Sequence, residues 1–263
     1  MPPEPITSMK LLTITIALLL NLIMPATPTF REQQINYIRV RQAYQEKEKK
    51  ILKNLKEHGI DMKAMQIYLQ AFKAESKLEL WAKNESDSAF QLVREFEICY
   101  AVGNIGPKRR QYDKQVPEGF YRIEKFNPTS KYYLSLGIDY PNASDRVLGS
   151  KGKLGGDIYI HGGCISSGCL PVTDDKMKEL YLYCVEAVSA GQESIPVTMY
   201  PARLDDLKYK ALMTKYAKDA DKTGLWSDLK KGYDYFSANH NLPDVKFLKN
   251  GRHEVVAPVA TGQ

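Results

Sequence analysis

The sequence predicts an α+β fold: a β-rich central domain with a helical arm before it and a helical extension after it. Three observations carry this. Short runs of period-two alternation recur between residues 65 and 201, separated by polar or glycine- and proline-bearing turns. A stretch dense in Lys, Glu and Gln, with apolar residues at helical spacing, precedes those runs. Two more stretches of helical spacing follow them.

The chain opens on a leader. After Met9-Lys10 come fourteen uncharged residues, LLTITIALLLNLIM, and then Pro25-Ala26-Thr27-Pro28. A short basic start, a short apolar run and small or helix-breaking residues read as a secretory signal, residues 1–29. The run falls short of the ~20 apolar residues a membrane span needs. No A-x-A triplet marks a cleavage site, so an uncleaved anchor is the alternative. Residues 30–62 form the arm. Ile35, Ile38, Tyr44, Ile51, Leu52 and Leu55 recur at helical spacing, with Gly59 placed as a C-terminal cap. We expect one amphipathic helix broken near Gln45, serving as a packing helix or a stalk.

The central domain spans residues 63–201. QIYLQAF and KLELWAK, joined by the polar turn Lys73 to Ser76, read as a hairpin. A third strand is expected at 90–100, then a basic glycine-bearing loop, GNIGPKRRQYDKQVPEG, and strands at 120–125 and 131–138. DIYIHG reads as a short buried strand ending at His161. Thr173-Asp174-Asp175 opens a helix that keeps its spacing to Gly191 and makes Cys184 a buried apolar residue. IPVTMYP is the last strand. The extension, residues 202–263, holds helices near 205–218 and 226–239 and a closing hairpin. Asn250-Gly251 there is the dipeptide favoured in a two-residue type I′ turn.

Composition narrows the function classes. The 263 residues are 43% hydrophobic and 26% charged, ordinary for a soluble globular protein. The net charge of +6 fits an acidic partner but is too dilute to argue for nucleic acid. Tyrosines outnumber phenylalanines 17 to 8, which suits grooves where a ring buries and its hydroxyl stays bonded. In an exported chain the even cysteine count (Cys99, Cys164, Cys169, Cys184) invites disulfides, yet four are too sparse for a disulfide scaffold.

The chemistry concentrates in residues 161–169, HGGCISSGC. His161, Cys164 and Cys169 could ligate zinc, although H-x2-C-x4-C is not a common zinc spacing. Cys164 could bond Cys169 or Cys99. Alternatively, one thiol is a nucleophile: a histidine fixed at a strand end takes its proton, and a glycine turn aims backbone N–H groups at the oxyanion. Ser166-Ser167-Gly168-Cys169 can make such a turn.

IHG followed by S-x-G-C resembles the active-site signature of the YkuD-type L,D-transpeptidases. The fuller IYIHGGCISSGCLPVTD is most similar to the YafK-like branch of that family, and so are EICYAVGNIGPKRRQYDKQVPEGFYRI, SKYYLSLGIDYPNASDR and KKGYDYF. The resemblance runs from about Met65 to the closing hairpin. It implies a YkuD-like sandwich catalytic domain in an exported enzyme, in the periplasm or cell envelope, acting as a monomer on peptidoglycan stem peptides. Cys169 then matches the acylated nucleophile and His161 the general base, with Gly168 and Cys169 offering the oxyanion N–H donors. Ser167 is read as the motif's serine, orienting the histidine or the substrate. Cys164 becomes a bystander or structural thiol. In the common signature S-H-G-C-x-R a histidine precedes the glycine and an arginine follows the cysteine. Here no histidine precedes Gly168 and Leu170-Pro171 replace the x-Arg, so the arginine's substrate contact does not carry over. Lys108, Arg109, Arg110 and Arg146 are the candidates to meet stem-peptide carboxylates.

The resemblance implies an acyl-enzyme at Cys169, formed on the L-centre carbonyl of a diamino acid and passed to an amine or to water. No cofactor or metal is required. The YafK-like branch favours hydrolysis, including cleavage of a protein-to-murein linkage. The rival is a non-enzymatic wall-binding module with a Cys164–Cys169 disulfide; a zinc hydrolase is a second.

Overall fold

The computed structural model describes residues 27–99 and 103–258. The leader's apolar run and Tyr100, at the expected end of the third strand, lie outside them. No helix among the described residues is long and apolar enough to cross a membrane.

Two helices open the described chain, α1 (Phe30–Ile35) and α2 (Ile38–Glu57). Strands β1 (Met65–Phe72), β2 (Lys77–Asn84), β3 (Gln91–Glu97), β4 (Gly119–Asn127) and β5 (Ser135–Ile138) follow, then helix α3 (Ala143–Leu148). Next come β6 (Tyr159–His161), β7 (Leu170–Pro171), α4 (Asp174–Ser189) and β8 (Ile195–Tyr200). The chain closes with α5 (Asp206–Lys215), α6 (Ala220–Asn239), β9 (Asp244–Phe247) and β10 (His253–Val256).

The first eight strands form one mixed sheet, ordered β3-β2-β1-β8-β4-β5-β6-β7. β1 pairs antiparallel with β2, as the hairpin pattern predicts, and parallel with β8. As a central strand β1 is buried along most of its length, and its alternation serves two cores. Ile67, Leu69 and Ala71 join Leu78, Leu80 and Ala82 in a core with α4 and the arm. Tyr68 and Phe72 point the other way, against Phe236 and Trp226 of α6. The sheet is therefore covered on both faces, and its two outer strands approach each other. Just past β3, the Cys99 N–H donates to the Pro171 carbonyl of β7 at 2.8 Å.

Several sequence expectations change. The arm breaks at Asn36-Tyr37, not near Gln45: Tyr37 takes an extended conformation ahead of α2. The break lets α1 lie against α4, where buried Gln34 accepts a 2.8 Å bond from the Tyr181 hydroxyl. The arm is a packing element rather than a stalk, because Val40, Ala43, Ile51 and Leu55 are buried in the main core. β5 begins at Ser135, since Tyr133 has φ 74°, which interrupts an extended strand. α3 lies in a stretch read as loop; the Asn142 side chain caps it. α6 starts at Ala220, six residues early, where Asp219 accepts from the Lys222 N–H. The closing loop is longer than a two-residue turn: Leu248 N–H donates to Arg252 O, and Gly251 takes φ 80°. That is the pattern of a three-residue loop ending in a left-handed glycine.

Lys73, expected in a polar turn, is the largest surprise. Its ammonium is buried, donating to Glu118 at 2.8 Å and to the carbonyls of Gly106 and Val116. Glu118 also accepts from the Trp226 indole at 2.7 Å, which ties the basic loop to α6. With the Gly106 N–H donating to it at 2.7 Å as well, three partners at one carboxylate satisfy a charge that would be costly to bury alone.

Candidate active site

Register places the two reactive side chains. β6 runs parallel to β7 with Ile160 opposite Leu170 and His161 opposite Pro171. One residue before β7, Cys169 lies beside Tyr159, whose N–H reaches its Sγ at 3.4 Å. His161 is two residues further along the same strand, hence on the same face. Both line one cavity of about 660 Å³.

The turn before Cys169 is tightly specified. Gly168 has φ 134°, and a Cβ there would lie 3.1 Å from the Gln115 carbonyl, so a side chain meets backbone strain and a contact that the Gln115 backbone must yield to. A Cβ at Gly162 would lie 2.5 Å from the Asp174 carboxylate, which accepts the Gly163 N–H at 2.8 Å. The Gly168 and Cys169 N–H groups converge on Ser166 Oγ at 3.2 and 2.7 Å, and that hydroxyl donates to the Cys169 carbonyl. The serine that holds the turn is thus Ser166. Ser167, expected to orient the histidine or the substrate, is exposed on the cavity wall. The expected oxyanion donors form a converging pair, engaged by Ser166.

His161 is 1% exposed and stacks on Tyr132, with centroids 4.5 Å apart. Its Nδ1 lies 2.7 Å from the Gly162 carbonyl. A carbonyl only accepts, so Nδ1 carries the proton and Nε2 is the basic nitrogen. Burial lowers the imidazole below its ordinary value, against the opposing pull of the Gly162 carbonyl. Burial likewise raises the Cys169 thiol, outweighing the Tyr159 N–H and the Lys108 charge, which favour thiolate. The thiol donates instead to the Asp157 carbonyl at 3.7 Å. At neutral pH this is a thiol beside a neutral imidazole, not a preformed ion pair.

Cys164 is bonded to Cys99, 65 positions earlier, and Cys169 is free. The Cys164–Cys169 disulfide of the binding-module reading is therefore absent, and the zinc reading loses Cys164 as a ligand. No group of three metal-ligating residues occurs among the described residues. Cys184 is buried in the core, as expected.

The four basic candidates separate. Lys108 lines the cavity but is engaged by Asp113 at 2.6 Å and by the Arg110 carbonyl. Arg109 does not line the cavity; it bridges Asp145 and Asp221 and fastens α3 to α6. Arg110 is exposed and outside the lining, and Arg146 borders a different, shallow cavity. Sequence reasoning missed Lys131, Tyr132, Asp157 and Ser166 as cavity residues. The first two were absorbed into a strand; only the shared wall with His161 marks them.

Comparison with known proteins gives the family. The family model for the YkuD L,D-transpeptidase catalytic domain matches residues 66–198. The chain is 37% identical over 207 residues to YafK, an L,D-transpeptidase candidate of Escherichia coli strain K12, covering 78% of this chain and 80% of that one. Among solved structures, the helical cell shape determining protein Pgp2 of Campylobacter jejuni is similar at TM-score 0.41 and 19% identity, over 70% of this chain and 73% of that one. Bd1075 of Bdellovibrio bacteriovorus is similar at TM-score 0.39 and 18% identity, over 69% and 74%.

Proposed function

The chain belongs to the YkuD L,D-transpeptidase family, whose members act on peptidoglycan peptides, and from that premise we propose an exported cysteine enzyme that acylates itself at Cys169. One observation carries the reading: a free thiol and an imidazole with a basic Nε2 share one cavity, while the neighbouring Cys164 is committed to Cys99.

The reaction follows from those groups. As the L-centre carbonyl of a stem-peptide diamino acid enters, the thiol proton leaves the Asp157 carbonyl and passes to His161 Nε2. Sγ bonds to the carbonyl carbon, and the carbonyl oxygen takes the negative charge. The Gly168 and Cys169 N–H groups then exchange Ser166 Oγ for that oxyanion. Collapse expels the amine, which takes the proton from His161, and leaves a thioester on Cys169. Water, deprotonated by the same histidine, adds to the thioester carbonyl; the C–S bond breaks, the acid leaves and Sγ recovers its proton from His161. We take water as the acceptor, with release of a protein joined to the wall, from the resemblance of the IYIHGGCISSGCLPVTD motif to the YafK-like branch. An amine acceptor would give a cross-link by the same steps.

Mass spectrometry of the Cys169 peptide after exposure to a carbapenem tests the nucleophile. A covalent adduct is expected, absent in Cys169→Ala; an adduct that persists in that variant overturns the assignment. Incubation with muropeptides, with and without an added amine, separates the acceptors. Loss of a linkage without cross-linked product means hydrolysis.

A further inference from the structure

The cavity is electrically lopsided. At the Cys169 end stands Asp157, whose carbonyl accepts a hydrogen bond from the thiol and whose carboxylate faces no cation within ion-pair distance among the described residues. At the His161 end stands Lys131, exposed on the cavity wall. No carboxylate of the described residues pairs with Lys131. Its one marked contact is with Tyr132, whose ring centre lies 5.0 Å from the ammonium. The remaining cavity cation, Lys108, is already satisfied by Asp113. A substrate anion entering this cavity is therefore repelled from the Cys169 end and finds its uncommitted cation at Lys131.

The loop holding Lys131 is built rather than incidental. Arg39 of α2 donates to the carbonyls of Ser130 and Tyr133, the residues that flank Lys131-Tyr132. Tyr132 in turn stacks on His161. The ammonium, the Tyr132 ring and the imidazole form a series with steps of 5.0 and 4.5 Å. A diamino acid attacked at its L-centre carbonyl carries its far carboxylate about two residue lengths away, roughly 7 Å. That reach is commensurate with the series.

We infer that Lys131 is a specificity-determining residue: it pairs with the free carboxylate at the far end of the diamino acid whose near carbonyl Cys169 attacks. This rests on the acyl-enzyme reading above. The enzyme should thus distinguish a stem peptide with that carboxylate free from one in which it is an amide or already engaged in a cross-link. Arg or Lys meeting a carboxylate makes a charge-assisted bond, and its loss is worth roughly tenfold in selectivity.

The test compares two muropeptides that differ only in a free carboxylate or a carboxamide at that far position. The wild type is expected to prefer the acid by about tenfold in kcat/KM. Lys131→Ala should bring the ratio near one, chiefly through KM, and Lys131→Arg should restore the preference. Alkylation of Cys169 by neutral iodoacetamide checks that the variant keeps its nucleophile turn. An active wild type without preference, or a Lys131→Ala variant that keeps it, overturns the inference and leaves the acyl-enzyme standing. A wild type that reacts with iodoacetamide yet turns over neither muropeptide overturns the acyl-transfer reading and this inference with it.

Discussion

Two loops meet at the cavity, and they are held by different means. The nucleophile loop, residues 162–169, is fastened at many points: by a disulfide to Cys99, by the Asp174 carboxylate at Gly163, by Ser166, and by β7 beyond it. The opposite loop, residues 128–134, has no covalent tie: Arg39 from the arm holds its carbonyls, Tyr132 stacks on His161 and donates its N–H to Ser130 Oγ, and the Leu134 carbonyl accepts from the Gly162 N–H. Its outermost charge, Lys131, reaches the cavity without a carboxylate partner among the described residues. The difference separates two demands. Bond-making groups tolerate little misplacement and sit on covalently tethered backbone, whereas a substrate-reading charge can sit on a loop held by non-covalent contacts alone.

The sharpest way to break this comparison is at His161. His161→Gln should lower kcat by about 10²–10⁴-fold, the usual worth of a positioned base. The pH profile gives the sign. Because burial holds His161 below 6.5, its neutral form persists below that pH, and the acid limb of wild-type kcat/KM should fall at a pH under 6.5. Burial holds the thiol above 9.0, so what activity His161→Gln keeps should rise only in alkaline solution. An acid limb above 6.5, or a variant profile like that of the wild type, contradicts the assignment.

Next in size is the disulfide. Cys164→Ala should lower unfolding stability by about 2–5 kcal/mol in a denaturant melt. Most acylation should survive under native conditions, because Ser166 and β7 still set the turn. Loss of acylation in a folded Cys164→Ala protein would show that the covalent tether, not the hydrogen-bonded turn, positions Cys169. The smallest effect belongs to the clamped loop. Arg39→Ala should reduce kcat/KM for muropeptides several-fold, with iodoacetamide labelling of Cys169 near the wild-type rate. An equal loss in both assays would mean that the arm supports the whole site.

Much of the central sheet was legible because alternation is a local signal: β1, β2, β4 and β8 follow from period-two runs whose apolar side must find a core. The α4 helix was equally plain from its cap at Thr173 and its spacing. Two-sided burial was less so. Nothing in QIYLQAF says that Tyr68 and Phe72 will be covered by a helix more than 140 residues later in the chain. Lys73 misled for the same reason, since a lysine in a turn is ordinarily solvated and only Glu118 and three loop carbonyls make its burial affordable.

By itself the sequence determined the strand-and-turn framework from local alternation and the family from motifs spread between Met65 and the closing hairpin, and it singled out His161 and Cys169 as candidates in one short stretch. Tertiary structure decided the rest. It chose Cys99 over Cys169 as the partner of Cys164, bound the nucleophile turn through Ser166, and engaged Arg109 with Asp145 and Asp221. It also left Lys131 facing the cavity unpaired by a carboxylate among the described residues. Charges and thiols are assigned roles by which partners lie within a few ångströms, and those partners come from distant segments that only the packed sheet brings together.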